Sequence, residues 1–296
     1  MRGEEATDII DAHHHLWDRS RFPQPWIDPG MMGALDDDFG LSELEPLTRA
    51  AGVGGTVLVH ALPSVDETVH LLEVAASSSL IKGVVGWVDL TALDVADQIA
   101  RLRTEPGGEL LVGIRHLAQG QADPAHMDQP DFRHGVEVVG AAGLVLDLVV
   151  RDHQLPAVAR LAGDVPDTSV VLDHLGKPGL SSGRLDPWLR DLEEVAGLPS
   201  VTAKVSGLVT EADPAGWKTD DLRPAIDHAL TVFGPQRLMF GSDWPVLRLA
   251  SDYPTWVRTF HQLVESREAT EKNWLWAGTA RRVYGLRDRC DDAGKA

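Results

Sequence analysis

Asp8-Ile9-Ile10-Asp11-Ala12-His13-His14-His15 opens as an apolar, β-rich run and ends in three histidines. Consecutive side chains on a strand point to opposite faces, so His13 and His15 share one face and His14 takes the other. Two imidazoles at i, i+2 on a strand end can grip one metal ion or bracket one polarised substrate atom. They can equally be a hydrogen-bonded structural pair. Far along the chain, Gly241-Ser242-Asp243-Trp244-Pro245 ends a second strand-like run.

Between these two lie more runs of the same kind: Gly55–His60, Gly83–Asp89, Leu110–His116, Gly143–Val149, Ser169–His174 and Val201–Ser206. With Ile9–His15 and Arg237–Asp243 they make eight. From His15 to Asp243 the spacing averages about 33 residues, close to the ~30 residues of a strand-helix unit. Several runs are nearly all apolar, as parallel strands covered on both faces must be. Helical patterns fill the gaps. Ser64-Val65-Asp66-Glu67 reads as a capping box opening a helix to Ser77. Asp94–Arg103, Asp131–Ala142, Leu155–Ala162, Leu185–Ala196 and Leu222–Phe233 carry apolar residues at three- and four-residue spacing. Gly52, Gly143 and Gly234 follow such stretches, where a helix-ending glycine belongs. Eightfold alternation predicts a single (β/α)8 TIM barrel over residues 1–296. An open doubly wound sheet fits less well, because no Gly-x-Gly-x-x-Gly turn follows the first strand. The polar stretch 17–40 follows strand 1 and is either a lid or an inert insertion. The tail 287–296 is polar.

With 43% hydrophobic residues, the 296-residue chain can bury a large core. Its net charge of -18 argues against nucleic acid or anionic membranes as partners, since phosphate contacts need clustered Lys and Arg. No apolar run approaches a membrane span, and Met1–Thr7 lacks an apolar signal region, so a cytoplasmic location is expected. Cys290 is the one cysteine, which excludes a disulfide framework and a thiolate zinc site.

In a barrel, strand C-termini converge on one mouth. Here they carry His13 and His15, His60, Trp87 and Asp89, Arg115 and His116, Asp147, His174, Lys204 and Ser206, then Asp243. A barrel built for stability alone would place small or apolar residues at many of these positions. Other roles stand beside the functional one: packing for His60, an ion pair with Arg115 for Asp147, an outward strand face for Lys204 and Ser206, and an orienting role for Asp173. Trp87 and Trp244 offer flat faces to a sugar ring or serve as packing.

The chain resembles the amidohydrolase superfamily in its His-x-His on strand 1, the histidine closing a middle strand and the aspartate closing strand 8. Gly113-Ile114-Arg115-His116, Leu172-Asp173-His174-Leu175-Gly176-Lys177-Pro178 and Gly241–Pro245 look more specifically like its amidohydrolase-2 group. That group includes fuconolactonases, rhamnonolactonases and pyrone-dicarboxylate lactonases, and the likeness runs from Ile9 to about Tyr284. It implies hydrolysis of a small-molecule lactone. Asp243 would be the general base, and Arg115, a protonated histidine or a metal would stabilise the oxyanion. His174 or His116 would protonate the leaving oxygen. His60, Trp87, Asp147, Lys204, Ser206 and Trp244 would contact substrate. His13, His15, His174 and Asp243 match the superfamily's metal positions, enough for one Zn²⁺ but not two metals. The resemblance also covers members that work without metal. Two other readings are a metal-dependent nonoxidative decarboxylase of an aromatic or unsaturated acid and a sugar-acid-binding barrel without catalysis. Monomer and homo-oligomer are both compatible with the sequence.

Overall fold

The computed structural model describes residues 8–121, 123 and 125–287. The eight runs become eight parallel strands paired in chain order. They are β1 (Ile9–His14), β2 (Val53–Val59), β3 (Ile81–Gly86), β4 (Leu111–Leu117), β5 (Val145–Val149), β6 (Val170–Leu172), β7 (Val201–Val205) and β8 (Leu238–Phe240). The ring closes through backbone bonds: Asp243 N–H donates to the His13 carbonyl at 2.7 Å, and His15 N–H to the Trp244 carbonyl at 2.6 Å. A (β/α)8 barrel is thus the architecture.

Alternation along the strands sorts side chains into two layers. Ile10, Val57, Val85, Val145, Val171 and Met239 fill the barrel interior. Leu58, Val84, Ile114, Leu146, Leu172 and Val205 pack outward into the core beneath the helices. Tyr284 and Leu286, from the C-terminal segment, join the inner cluster.

β1 breaks this alternation. Asp11 pairs with Thr56 but His14 pairs with Leu58, so three residues on β1 span two on β2. The extra residue is a β-bulge, which re-aims the side chains that follow it. Ile10 and Ala12 face the interior, and after the bulge so do His13 and His15. His14 turns outward and its Nε2 meets Thr56 Oγ1 at 2.9 Å.

Three runs end two or three residues earlier than the sequence suggests. β6 stops at Leu172 and β8 at Phe240, because His174 (φ 56°), Leu175 (φ 52°) and Asp243 (φ 58°) adopt the left-handed region. β3 stops at Gly86, leaving Trp87 and Asp89 in the following turn. The predicted capping box forms only in part. Ser64 Oγ accepts from Glu67 N–H, but the Glu67 carboxylate turns to the Ala61 and Leu62 N–H groups at 3.0 and 2.8 Å, bracing the loop after β2.

The stretch 17–40 is stapled at its base by a two-way backbone pair between Trp17 and Phe39. Ile27, Leu35 and Phe39 anchor it in the core, while Trp26 stays partly exposed. Residues 288–296 of the expected polar tail, and Cys290 with them, lie outside the described residues. Among those described, no helix is long and apolar enough to cross a membrane.

Candidate active site

A cavity of ≈ 510 Å³ opens at the C-terminal ends of the strands, within the range of small-molecule sites. His15, Arg115, His174 and Asp243 line its depth. Trp26, Met32, Leu62, Val246 and Leu249 give it an apolar side, and Arg151, Lys177 and Glu211 a charged one. His13 is fully buried just below.

Four candidate ligand side chains gather there. His13 Nε2 lies 3.3 Å from His15 Nε2 and 3.7 Å from Asp243 Oδ1, and His15 Nε2 lies 3.5 Å from the same oxygen. His13, His174 and Asp243 place ligand atoms within 4.8 Å of one another. Donors about 2.1 Å from a tetrahedral ion stand about 3.4 Å apart, so the His13–His15–Asp243 triangle matches one face of such a polyhedron, while His15 stands outside the group that His174 makes with His13 and Asp243. Each imidazole is also held from behind, as metal-binding histidines are. His15 Nδ1–H donates to the Val59 carbonyl at 2.7 Å. His174 Nδ1 meets Ser206 Oγ at 2.9 Å, and His13 Nδ1 faces Lys204 and Asp173. Only glycine fits at position 207 beside them. A Cβ there would lie 2.7 Å from His174 Nδ1 and 3.0 Å from Asp243 Oδ2, at φ 63°.

Electrostatics favour neutral imidazoles around an anionic carboxylate. Burial lowers the pKa of His13, His15 and His174. Burial opposes ionisation of Asp243 as well, yet His174, His15 and His13 together hold its carboxyl well below the usual range. Arg115 stands beside them. It donates to the His60 carbonyl, and its Nη1 lies 3.7 Å from Asp173 Oδ2.

The expected strand-end residues do not all reach this cavity. His60 is buried behind it, with Nδ1 2.7 Å from the Leu62 carbonyl and Nε2 3.1 Å from the Arg115 carbonyl, so it braces the arginine. Asp147, Lys204 and Ser206 face the barrel interior but are fully buried beneath the cavity, out of reach of substrate. Asp147 pairs with Lys204, not with Arg115 as the sequence allowed. His116 points to the other face of β4 from Arg115 and, with Trp87, lines a separate cavity of ≈ 440 Å³. There its Nε2 contacts His126 Nε2 at 3.0 Å, and burial drops its pKa to about 3. Trp244 is buried edge-on to Phe39 at 5.5 Å and is core, not a sugar platform.

Several contributors had little signal in the sequence. Asp11 is fully buried and accepts from His13 N–H, Ser242 N–H and Tyr253 O–H. Tyr284 donates to Asp147 from a segment at the far end of the chain. Trp26 reaches the mouth from the 17–40 stretch. Arg151 could have been found, since it follows β5 almost directly.

Residues 10–286 match the model of the family described as amidohydrolase. The chain belongs to the amidohydrolase family. An L-fucono-1,5-lactonase from Burkholderia multivorans is 42% identical over 293 residues, which cover 95% of this chain and 97% of that protein. Another L-fucono-1,5-lactonase, from Burkholderia ambifaria, is 39% identical over 256 residues, or 85% of this amidohydrolase and 86% of that one. A zinc-bound amidohydrolase structure from Burkholderia multivorans superposes with a TM-score of 0.88 at 41% identity, covering 95% of this chain and 100% of that one.

Proposed function

We propose that this amidohydrolase opens a sugar-acid lactone, with an aldono-1,5-lactone of the fuconolactone type as the first substrate to test. One observation carries the reading: the Asp243 carboxyl group on the cavity floor, set among the imidazoles of His13, His15 and His174 and beside the guanidinium of Arg115. Relatives that span nearly the whole chain bear lactonase names and support the substrate class.

Asp243 takes a proton from water as the water oxygen attacks the ring carbonyl carbon. The carbonyl oxygen becomes an oxyanion. Arg115, already fixed by the His60 carbonyl and 3.7 Å from Asp173, supplies positive charge from a buried position. Collapse breaks the acyl carbon–ring oxygen bond, and the Asp243 proton passes to the departing oxygen. The product is an open-chain hydroxy acid, whose carboxyl releases one proton at neutral pH. Trp26 offers an aromatic face to the ring.

His13, His15, His174 and Asp243 would hold one divalent ion, with zinc the leading candidate from the nitrogen-rich donor set. When bound, such an ion polarises a carbonyl and lowers the pKa of water.

The test is proton release from a panel of aldono-lactones, before chelation, after it, and after zinc is restored. Activity lost to chelator and recovered with zinc is expected. Activity that survives chelation would leave hydrolysis to Asp243, Arg115 and the histidines alone. No acid release from any lactone would overturn the proposed function.

A further inference from the structure

Below the cavity lies a buried ionic cluster that touches no substrate-accessible surface. Lys204 Nζ is 2.5 Å from Asp147 Oδ2, 3.0 Å from Asp173 Oδ1 and 3.1 Å from His13 Nδ1. All four side chains are fully buried. Tyr284 Oη, 2.8 Å from Asp147 Oδ2, fixes the far carboxylate. An ammonium carries three N–H groups and no acceptor; two of them are hydrogen-bonded here, to Asp147 and His13, while Asp173 Oδ1 stands at ion-pair distance and is left without a hydrogen bond.

The contacts of His13 specify a proton position. If Lys204 donates to Nδ1, the neutral ring carries its proton on Nε2. That proton then points at His15 Nε2, 3.3 Å away. His15 spends its own Nδ1–H on the Val59 carbonyl, so its Nε2 is a bare acceptor. The chain Lys204 → His13 → His15 → Val59 has no orphan donor. The opposite tautomer has a waiting acceptor too, because Asp173 Oδ1 lies 3.3 Å from His13 Nδ1. In that state two Nε2 lone pairs face each other across 3.3 Å, a repulsion that a charge-assisted bond to Asp173 must outweigh and that a shared cation relieves.

We propose that Lys204 and Asp173 are opposed positioning residues that decide which nitrogen of His13 carries its proton. Lys204 selects Nε2–H in the metal-free protein. Asp173 receives Nδ1–H when a cation takes Nε2. The second half rests on the metal reading of the site, and the first half does not.

Long-range ¹H–¹⁵N NMR on the chelated, ¹⁵N-histidine-labelled full chain reads the tautomer directly, with His13→Gln supplying the assignment. Wild type should show His13 Nε2–H, and Lys204→Met should exchange it for Nδ1–H. Lys204→Met/Asp147→Asn, which removes the unpaired carboxylate charge, guards against misfolding and should show the same exchange. A purely structural lysine would lower Tm without moving the proton. Nδ1–H in the metal-free wild type, or Nε2–H in the folded lysine variants, would overturn the role of Lys204. Zinc should convert wild-type His13 to Nδ1–H, and Asp173→Asn should weaken zinc binding about 10- to 100-fold in a chelator competition. Zinc that binds the Asp173→Asn protein as tightly as wild type would overturn the role of Asp173. Zinc that shifts no histidine would sink the metal reading and with it the Asp173 half, while the metal-free comparison still judges Lys204.

Discussion

Asp11 Oδ1 accepts the His13 N–H at 3.2 Å, and this bond secures the β-bulge that turns His13 into the barrel. The same oxygen accepts the Ser242 N–H at 2.7 Å, and Oδ2 accepts the Tyr253 hydroxyl at 3.0 Å. One carboxylate therefore joins the first strand, the loop after the last strand and an outer helix at the seam where the barrel closes.

Removing that carboxylate leaves buried donors without partners, each costing about 1–3 kcal/mol. Asp11→Ala is expected to lower the free energy of unfolding by several kcal/mol and to loosen the histidine cluster. Denaturant unfolding gives the first quantity and zinc affinity the second. A variant as stable as wild type would show that the bulge needs no such support.

Asp243→Asn preserves the size of the side chain and removes its basicity. The fold should persist by circular dichroism, and kcat should fall by about 10²–10⁴, the usual worth of a positioned general base. Turnover near the wild-type rate would remove Asp243 from the chemistry.

The two tryptophans near the mouth should part ways. Trp244 is core, so Trp244→Ala should destabilise by about 3–5 kcal/mol. Trp26 lines the cavity and is 38% exposed, so Trp26→Ala should leave Tm nearly unchanged and raise KM more than it lowers kcat. Steady-state kinetics and calorimetry on both variants decide this. A Trp26→Ala enzyme with unaltered KM would refute the aromatic contact.

Acid should destabilise the metal-free protein early. Burial lowers the pKa of His13, His14, His15, His60, His116 and His174, to about 3 for His14 and His116. Below about pH 6.5 the unfolded chain takes up protons that these folded imidazoles refuse, so stability falls with pH. Each fully refused proton is worth about 1.4 kcal/mol per pH unit. Asp11 and Asp147 act the other way. Burial raises both to about 6, so the folded state binds their protons first as pH drops from about 6 toward 3.8. Burial raises Glu67 as well, but three carboxylates do not offset six imidazoles. Tm should decline steadily from pH 7 to pH 5, and a flat or rising scanning-calorimetry profile would contradict the neutral histidine cluster.

The sequence by itself determined the repeating architecture and the identity of the site's main groups. Periodicity is local: apolar runs every 33 residues or so fix where strands fall, and alternation pairs His13 with His15. A residue's side of the barrel wall is not local wherever a strand is irregular. Simple alternation from Ile10 and Ala12 would have carried His14 into the interior. Only the bulge, held by a bond from Asp11 and by closure onto β8, reverses that. His174 and Asp243 reach the cavity from left-handed turns beyond their strands, a backbone choice that residue type alone does not dictate. Lys204, Asp147 and Ser206 are strand-end residues by sequence, yet the depth of each strand in the barrel puts them under the cavity and makes them supports. Depth and facing are set by register between strands and by what packs beneath them, here Tyr284 arriving from the end of the chain. Those relations join residues far apart in sequence, so they exist only once the tertiary structure has formed.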